Sequence, residues 1–381
     1  MINNDDRPID LSVILPCRNE ELALDACLTE IKKVLEEFNL KGEIIVSDSS
    51  TDRSAEIARQ HGVKLIVHHK DGYGNAYLEG FKVATGKYFF MADADGTYDF
   101  AEIPKFIKAL DDGADFVIGN RFAGKMDKGA MPWAHRLIGN PVLSFMLRLF
   151  FRSKVRDVHC GMRAIRRESL GRMNLCAAGM EFASEMVIKA AKNSLVVKQL
   201  PINYHLRKGN SKLKPLADGW RHLRFMLLFS PLFLFFIPGL ALLATGSVVF
   251  GLLYFNQLNI GGIFFQYHPM FLASLFIIAG YQLMIFSFFS KTYAITHLGE
   301  SSKVIDWLNK HLTIEKASLL GLIGILAGVV VYVKIFVGWV SNSFGEMQQV
   351  ENSILAMTVM VLGLQTIFSS FMLSILGIKN R

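Results

Sequence analysis

The stretch "FFMADADGTYDF", residues 89–100, decides how the first half of this chain folds. Its leading apolar residues predict a buried strand, and Asp93 and Asp95 follow where that strand ends. Two carboxylates at one point repel each other, so a cation is expected between them. Paired hard oxygen ligands suit Mg²⁺ or Mn²⁺, which keep coordination positions open for substrate phosphates. The sequence therefore predicts a divalent metal site that holds a diphosphate.

Strands and helices alternate around this stretch. The predicted strands are "LSVILP", "GEIIVSD", "VKLIVHH", "KYFFMAD" and "ADFVIGNR", with helical segments between them. This order predicts an α/β, Rossmann-like domain with a mostly parallel sheet and helices on both faces. Ligands of such sheets bind beyond the carboxyl ends of the strands. Polar clusters fall at those ends, at residues 18–20, 47–48, 93–95 and 120–121.

Most of these clusters also have a purely structural interpretation. Asp48 could cap the next helix, and Arg18 and Glu20 could form a surface ion pair. Gly72 and Gly74 could serve only a turn, because they complete neither a GxGxxG nor a Walker A pattern. The convergence of the clusters on one rim favours a binding site.

The second half of the chain predicts a membrane domain. Segments 232–255, 270–290, 319–340 and 354–378 are long and apolar enough to span a bilayer. Buried helices of a large soluble protein are the alternative. The loops favour spans, because residues 256–268 and 341–352 lack Lys and Arg while residues 291–316 are basic. The positive-inside rule then places both termini in the cytoplasm.

Residues 1–215 are therefore predicted as a cytoplasmic catalytic domain of an integral protein of the cell inner membrane. The polar start "MINNDDRPID" does not resemble a signal peptide. Residues 216–231 and 299–312 are amphipathic and predict helices in the headgroup region, with packing on the soluble domain as the alternative. Residues 141–151 are expected to rest on the membrane or, alternatively, to be a buried helix. Lys334, inside the third span, is expected to snorkel.

Net charge and cysteine content indicate which binding partners and which cysteine chemistry to expect. The formal charge of +8 suits anionic lipid or an anionic substrate. A nucleic-acid partner is not expected, because the basic residues form no run interleaved with aromatic residues. The cysteines show no CxxC or Cys/His metal spacing, so reduced thiols are expected. Self-association is compatible with the sequence.

The motifs "ILPCRNE", "IIVSDSSTDRS", "GNAYLEGFKVATGKYFFMADADGTYD", "VIGNRF" and "DVHCGMRAIRR" together resemble family 2 glycosyltransferases of the GT-A fold. Within that family the chain is most similar to polyprenyl-phosphate glycosyltransferases, the group of dolichol-phosphate mannose synthase. The resemblance covers about residues 11–213. It implies inverting transfer of a hexose from a nucleotide-diphosphate sugar to a polyprenyl or dolichyl phosphate. UDP-glucose is the favoured donor, with GDP-mannose next.

The resemblance also implies roles for single residues, in nucleotide binding, in metal binding and in phosphate binding. The residues that would contact the nucleotide are Pro16, Arg18, Glu20 and Asp48, and the residues that would bind the metal are Asp93 and Asp95. Arg121 and Arg136 would contact phosphate at the reaction centre, and Arg207 and Lys212 would close over the diphosphate.

The chain departs from the family pattern at two positions. Ser47 stands where the family often has aspartate, and Thr97 stands where mannose synthases commonly have a glutamine that helps to hold the metal. Glu181 and Glu185 lie where other members keep an acidic catalytic group, and one of them is expected to have a structural or sugar-orienting role. A lipid phosphate is already anionic, so a strong general base is not required.

Two other functions fit the same sequence less well. A processive polysaccharide synthase would carry a QxxRW-type motif after the soluble domain, and none is found. A membrane sugar-nucleotide sensor or a lipid transporter would not need the intact Asp93, Asp95, Arg121 and Arg207.

Overall fold

A computed structural model describes residues 9–209, 215–255, 258–260, 263–265, 267–297 and 313–378. Lys212 and the predicted interfacial helix at 299–312 lie outside these described residues. The chain divides into two compact units, Met1–Met226 and Leu227–Arg381.

The first unit is built on a seven-stranded sheet with the order β3-β2-β1-β4-β6-β5-β7. Only β6 is antiparallel to its neighbours β4 and β5. This confirms the predicted mostly parallel sheet. The strands are β1 Leu11–Cys17, β2 Gly42–Asp48, β3 Lys64–Val67, β4 Tyr88–Met91, β5 Phe116–Asn120, β6 Arg163–Arg166 and β7 Val197–Pro201.

Strand register brings the polar clusters to one edge. β1 pairs with β2 so that Cys17 lies opposite Asp48, and β1 pairs with β4 so that Ile14 lies opposite Met91. The residues that follow all three strands therefore share the carboxyl edge of the sheet. Since β1 and β4 are apolar and almost entirely buried, the pairing cannot slip without exposing their side chains to water.

Helices cover the sheet, and α1 shows why they form. Its apolar residues Leu24, Leu28, Ile31 and Leu35 recur at three- and four-residue spacing and are all buried. The helices of the first unit are α1 Leu24–Glu37, α2 Ser54–Gln60, α3 Tyr73–Val83, α4 Ile103–Asp111, α5 Asn140–Phe151, α6 Arg167–Met173, α7 Phe182–Lys192 and α8 Pro215–Leu228.

One side of α8 packs inside the first unit. His222 and Met226 are buried, and His222 Nδ1 lies 2.9 Å from the Ser184 hydroxyl of α7. Trp220 on the other side of the helix is 59% exposed. Residues 216–231 were predicted to lie in the headgroup region, and this helix instead packs in part on the first unit. A contact with lipid through its exposed side stays a prediction.

The second unit contains four apolar helices that fit the predicted spans. They cover Leu232–Phe255, His268–Thr296, Ile314–Ser341 and Val350–Leu376, with mean hydropathy of 1.9 to 2.5. Each is long and apolar enough to cross a membrane. The helices are α9 Ile237–Phe255 after a π-helical turn at Leu232–Phe236, α10 His268–His297, α11 Ile314–Ser341 and α12 Val350–Leu376; a short hairpin, β8 Leu258–Ile260 and β9 Ile263–Phe265, precedes α10.

Hydroxyl pairs join two of these helices. Ser274 Oγ lies 2.6 Å from Thr358 Oγ1, and the Tyr281 hydroxyl lies 2.6 Å from Thr366 Oγ1, so α10 and α12 are linked twice. In an apolar setting such pairs satisfy groups that would otherwise be costly to bury. Lys334 lies exposed on α11, as snorkelling requires, and its position in a bilayer stays a prediction.

Candidate functional site

Asp93 and Asp95 follow β4 at the carboxyl edge of the sheet, as the sequence predicts. Asp93 Oδ1 is buried and has no hydrogen-bond partner among the described residues. Burial, together with the nearby charge of Asp95, raises the pKa of Asp93 to about 7. A buried carboxylate in this position requires either a proton or a cation.

Arg207 supplies a positive charge at the same point. Its Nη1 donates to Asp95 Oδ2 at 2.6 Å, and its Nη2 donates to Glu20 Oε1 at 2.5 Å. One guanidinium therefore joins the carboxylate after β4 to the carboxylate that follows β1. The family resemblance implies separate roles for Arg207 and Glu20, and the structure brings the two side chains together.

The segment that carries Arg207 is hydrogen-bonded along residues 95–97, the loop that contains Asp95. His205 N donates to Thr97 O at 2.9 Å, and Lys208 N donates to Asp95 O at 3.0 Å. These main-chain bonds fix the point from which the Arg207 side chain reaches Asp95. The position of Arg207 therefore depends on backbone pairing between residues far apart in sequence.

Thr97, one of the two departures from the family pattern, bonds directly to the metal pair. Its hydroxyl and its backbone N–H both donate to Asp95 Oδ1, at 2.6 and 3.0 Å. Thr97 thus orients Asp95. Ser47, the other departure, has a buried hydroxyl without a partner among the described residues.

Asp93 and Asp95 fit a divalent ion. The unpartnered Asp93 Oδ1 would give the ion a buried anionic ligand, and Asp95 would give a second when its Oδ2 is released from Arg207. In the part of the chain that the structure describes, no third His, Cys, Asp or Glu completes a metal cluster. Mg²⁺ and Mn²⁺ sites with few carboxylates leave the remaining positions to phosphate oxygens and water. Such a donor set suits an ion that arrives with a diphosphate.

Gly161 of the "DVHCGMRAIRR" motif leaves room beside the Asp93 carboxylate. A Cβ at Gly161 would lie 2.7 Å from Asp93 Oδ2, too close for any side chain. Its N–H donates to the Tyr98 hydroxyl at 2.7 Å, which fixes the close approach. The motif therefore lines the metal pair.

The residues assigned to the nucleotide lie at the carboxyl ends of β1 and β2 or just after them. Asp48 is buried, and its Oδ1 accepts from Ser50 Oγ at 2.5 Å. Ser50 Oγ in turn accepts from the N–H of Asn19, whose φ of 56° is left-handed. Arg18 is exposed and pairs with Asp71 at 3.0 Å. Asp48 therefore holds the loop that carries Arg18 and Glu20, and it is not the cap of α2 that the alternative required.

Pro16 lies in β1, opposite Ser47 in β2. It is half-buried, and its neighbours in the strand pack into the core. The residue therefore lies one strand position before the loop of Arg18, and its contact with the nucleotide stays a prediction.

Arg121 has a partner that the sequence analysis missed. Its Nε and Nη2 each donate to the carboxylate of Asp157 at 2.8 Å, and its backbone N–H donates to the same carboxylate at 3.0 Å. Burial lowers the pKa of Arg121, but Asp157 outweighs this and raises it well above its usual value. The guanidinium also lies over the ring of Tyr204, 5.2 Å from its centroid. The pair fixes the orientation of Arg121.

Arg136 is exposed on the π-helical segment His135–Gly139, which leads into α5. Among the described residues, no hydrogen bond or ion pair joins its side chain to the carboxylates of the metal pair. Its role in binding an acceptor stays a prediction.

Glu181 and Glu185 both hold backbone. The buried Glu185 accepts from Cys176 N and Ala177 N at 3.0 and 2.8 Å, and it pairs with Lys189 at 2.8 Å. Glu181 accepts from Gly179 N at 3.2 Å. The segment 176–179 fixed in this way packs on the start of α3, where a Cβ at Gly72 would lie 2.2 Å from Ala178 O. The structural role expected for one of the two glutamates is the role that the structure shows for both.

Removal of the Asp157 charge is expected to destabilise the first unit. Asp157→Asn leaves the buried Arg121 guanidinium without its counter-charge, and breaking a buried pair costs about 3 kcal/mol or more. Thermal unfolding of the purified protein measures the loss. Asp127→Asn is the matched control, since Asp127 pairs with His205 at the surface and should change stability little. Equal melting temperatures for both variants would contradict a structural role of the Arg121–Asp157 pair.

Comparison with known proteins identifies both units. Residues 12–173 match the model of glycosyl transferase family 2, and residues 289–377 match the glycosyltransferase family 2 C-terminal transmembrane region. The low-salt glycan biosynthesis hexosyltransferase Agl6 of Haloferax volcanii is 38% identical over 368 residues, 96% of this chain and 89% of that protein.

Two further relatives match about half of the chain. The dolichyl-phosphate hexose transferase of Haloferax volcanii is 32% identical over 212 residues, which cover 55% of this chain and 89% of that protein. The dolichol-phosphate mannosyltransferase of Pyrococcus furiosus is 31% identical over 215 residues, 54% of this chain and 59% of that protein.

A GT-A sheet with paired carboxylates at its carboxyl edge, followed by apolar helices long enough to cross a bilayer, defines a membrane-bound glycosyltransferase. The chain belongs to glycosyltransferase family 2. The family resemblance drawn from the sequence motifs is thereby confirmed.

Proposed function

We propose that this chain transfers a hexose from a nucleotide-diphosphate sugar to the phosphate of a polyprenyl or dolichyl lipid, with inversion at the anomeric carbon. The observation that carries the proposal is the cluster at the sheet edge, where Arg207 joins Glu20 to Asp95 beside the unpartnered Asp93 Oδ1. The names of two relatives, a dolichyl-phosphate hexose transferase and a dolichol-phosphate mannosyltransferase, support the acceptor. UDP-glucose is the first donor to test, and GDP-mannose is the second.

Asp93 and Asp95 would hold Mg²⁺ or Mn²⁺. When bound, the ion would stabilise the negative charge that develops on the departing diphosphate. Arg207 would bind oxygens of the same diphosphate, because a guanidinium can donate two hydrogen bonds to one phosphate. Arg18, Glu20 and Asp48 would position the nucleotide.

The acceptor side of the reaction needs cations rather than a base. A lipid phosphate is anionic at neutral pH and can attack the sugar carbon without losing a proton. Arg121 and Arg136 would bring it to the donor against the repulsion of two anions. Because the lipid remains in the bilayer, the helices of the second unit would keep the enzyme at its acceptor. The proposal includes an orientation with the catalytic unit and both termini on the cytoplasmic side, which the distribution of Lys and Arg among the loops supports.

The proposal is tested with purified full-length protein, short polyprenyl phosphate and a panel of nucleotide sugars. A short, mild-acid-labile glycolipid from one donor is the expected product. A long insoluble polymer would indicate a processive synthase instead. Absence of turnover with every donor would favour a sensor.

Arg136→Ala is expected to raise KM for the lipid phosphate and to leave KM for the nucleotide sugar nearly unchanged. A charge-assisted hydrogen bond contributes roughly 1.5–3 kcal/mol, so the rise should be at least about tenfold. Lys128→Ala, an exposed cation on the preceding loop, is the matched control. Equal losses for both substrates would show that Arg136 does not bind the acceptor.

A further inference from the structure

The outward side of α5 and of the segment before it is apolar. Of the residues in α5, only Ser144 and Leu147 are buried. The outward side of a surface helix usually carries polar residues, so this pattern is inverted. The exposed apolar side chains are Trp133 at 70%, Leu137 at 69%, Ile138 at 55%, Val142 at 48%, Phe145 at 55% and Leu149 at 50%. This set, with the cations around it, is here named the α5 face.

The charge of the α5 face has one sign. Residues 128–156 contain no Asp or Glu. Their exposed cations are Lys128, Arg136, Arg148, Arg152, Lys154 and Arg156. Apolar side chains ringed by Lys and Arg are typical of a surface that enters the headgroup layer of an anionic bilayer. Single-stranded nucleic acid would instead be expected to meet stacking aromatic rings, and four of the six exposed apolar side chains on this face are aliphatic.

A cavity opens on the same face. It has a volume of about 460 Å³, and no acidic side chain lines it. Arg148 of α5 and Arg156 of the following loop both line it, and among the described residues neither has a carboxylate partner. The other lining residues are Asn120, Phe122, Ala123 and Pro141.

The cavity suits a phosphodiester. Two guanidinium groups can grip phosphate oxygens from two sides, and Phe122 and Pro141 offer an apolar wall for the attached glycerol. The Arg156 backbone is fixed by a bond from its N–H to Gln199 Oε1 at 2.7 Å. Neither arginine belongs to the set assigned to the donor or to the acceptor.

We propose that the α5 face binds an anionic membrane surface and that the cavity between Arg148 and Arg156 binds the phosphodiester headgroup of an anionic phospholipid. The bound lipid is not a substrate. It holds the α5 face against the bilayer, and Arg136 lies on the same face. This site needs only an anionic lipid and is independent of the sugar or acceptor that the enzyme uses.

The test measures contact between Trp133 and lipid. Full-length protein with Trp133 as its sole tryptophan (W220F, W307F and W339F) is placed in vesicles of phosphatidylcholine with or without phosphatidylglycerol. Bromine on the acyl chains of either lipid quenches an inserted tryptophan. Strong quenching is expected only in vesicles that contain phosphatidylglycerol, and it should be strongest when the bromine is on that lipid. An Arg148→Gln/Arg156→Gln variant should need roughly 25-fold more phosphatidylglycerol for half-maximal quenching, about fivefold for each cation.

Arg59→Gln/Arg172→Gln is the matched control, because it removes the same charge from exposed positions elsewhere on the unit. Equal loss of quenching in both double variants would show that the cavity does not bind the headgroup and that only general attraction between positive charge and anionic lipid remains. Quenching that ignores lipid charge, or none in any vesicle, would overturn the proposal entirely. Inorganic phosphate that protects Arg148 and Arg156 from chemical modification, where phosphatidylglycerol does not, would assign the cavity to a soluble anion.

Discussion

Asp95→Asn is expected to lower the rate of sugar transfer by a factor of about a thousand, the upper end of what one electrostatic contact contributes. The substitution keeps the oxygen that accepts from Thr97 and removes the charge that faces Arg207 and the proposed ion. The protein should still fold, because the side chains have the same shape. Transfer of radiolabelled sugar to short polyprenyl phosphate measures the loss, and thermal unfolding confirms the fold.

Asp99→Asn is the control for this experiment. Asp99 lies in the same turn, and its Oδ1 caps the next helical turn by accepting from Ala101 N at 3.0 Å. An asparagine can make the same bond, so activity should remain close to that of the unmodified enzyme. Undiminished transfer by Asp95→Asn, or by the unmodified enzyme in excess EDTA, would show that the carboxylate pair does not act through a metal.

The sequence predicted the parts of the site that local pattern determines. A buried apolar run followed at once by Asp93 and Asp95 indicates both a strand and its polar end, and the structure has them there. The strands β6 and β7 were missed. "RAIR" and "VKQLP" are short and partly charged, and their pairing depends on distant strands: β6 lies between β4 and β5, and β7 pairs with β5 at the edge.

Contacts between residues far apart in sequence could not be predicted from the sequence. Arg121 and Asp157 are separated by 36 positions, and nothing local says which carboxylate a buried arginine will meet. Asp157 was visible only as the first letter of the motif "DVHCGMRAIRR". The contact between Arg207 and Asp95 spans 112 positions and depends on the backbone bonds of residues 205 and 208. The amphipathic pattern of α8 could not show whether one side of this helix faces lipid or packs on protein. In the structure His222 packs on Ser184.

Arg207→Met is expected to change metal binding and catalysis in opposite directions. Arg207 Nη1 and a divalent ion would compete for Asp95 Oδ2, because an oxygen that bonds a guanidinium at 2.6 Å is not open to an ion. Without Arg207 the affinity of the protein for Mn²⁺ in the absence of nucleotide should rise about tenfold. This gain corresponds to the lower limit of the free energy of a charged hydrogen bond. The lower limit applies because the Arg207 side chain is 25% exposed and solvent screens its charge. Transfer should fall about a hundredfold, since the proposed contact with the diphosphate is lost.

Electron paramagnetic resonance of Mn²⁺, titrated into purified protein without nucleotide, measures the first effect separately from turnover. Lys208→Met is the matched control for loss of one positive charge near the site. The Lys208 side chain is exposed, and only its backbone N–H bonds to Asp95 O, so Mn²⁺ affinity should change little. Unchanged or weaker Mn²⁺ binding by Arg207→Met would mean that the arginine does not compete for the carboxylate. An equal gain from both variants would reduce the effect to general electrostatics, since of these two cations only Arg207 bonds to the Asp95 carboxylate.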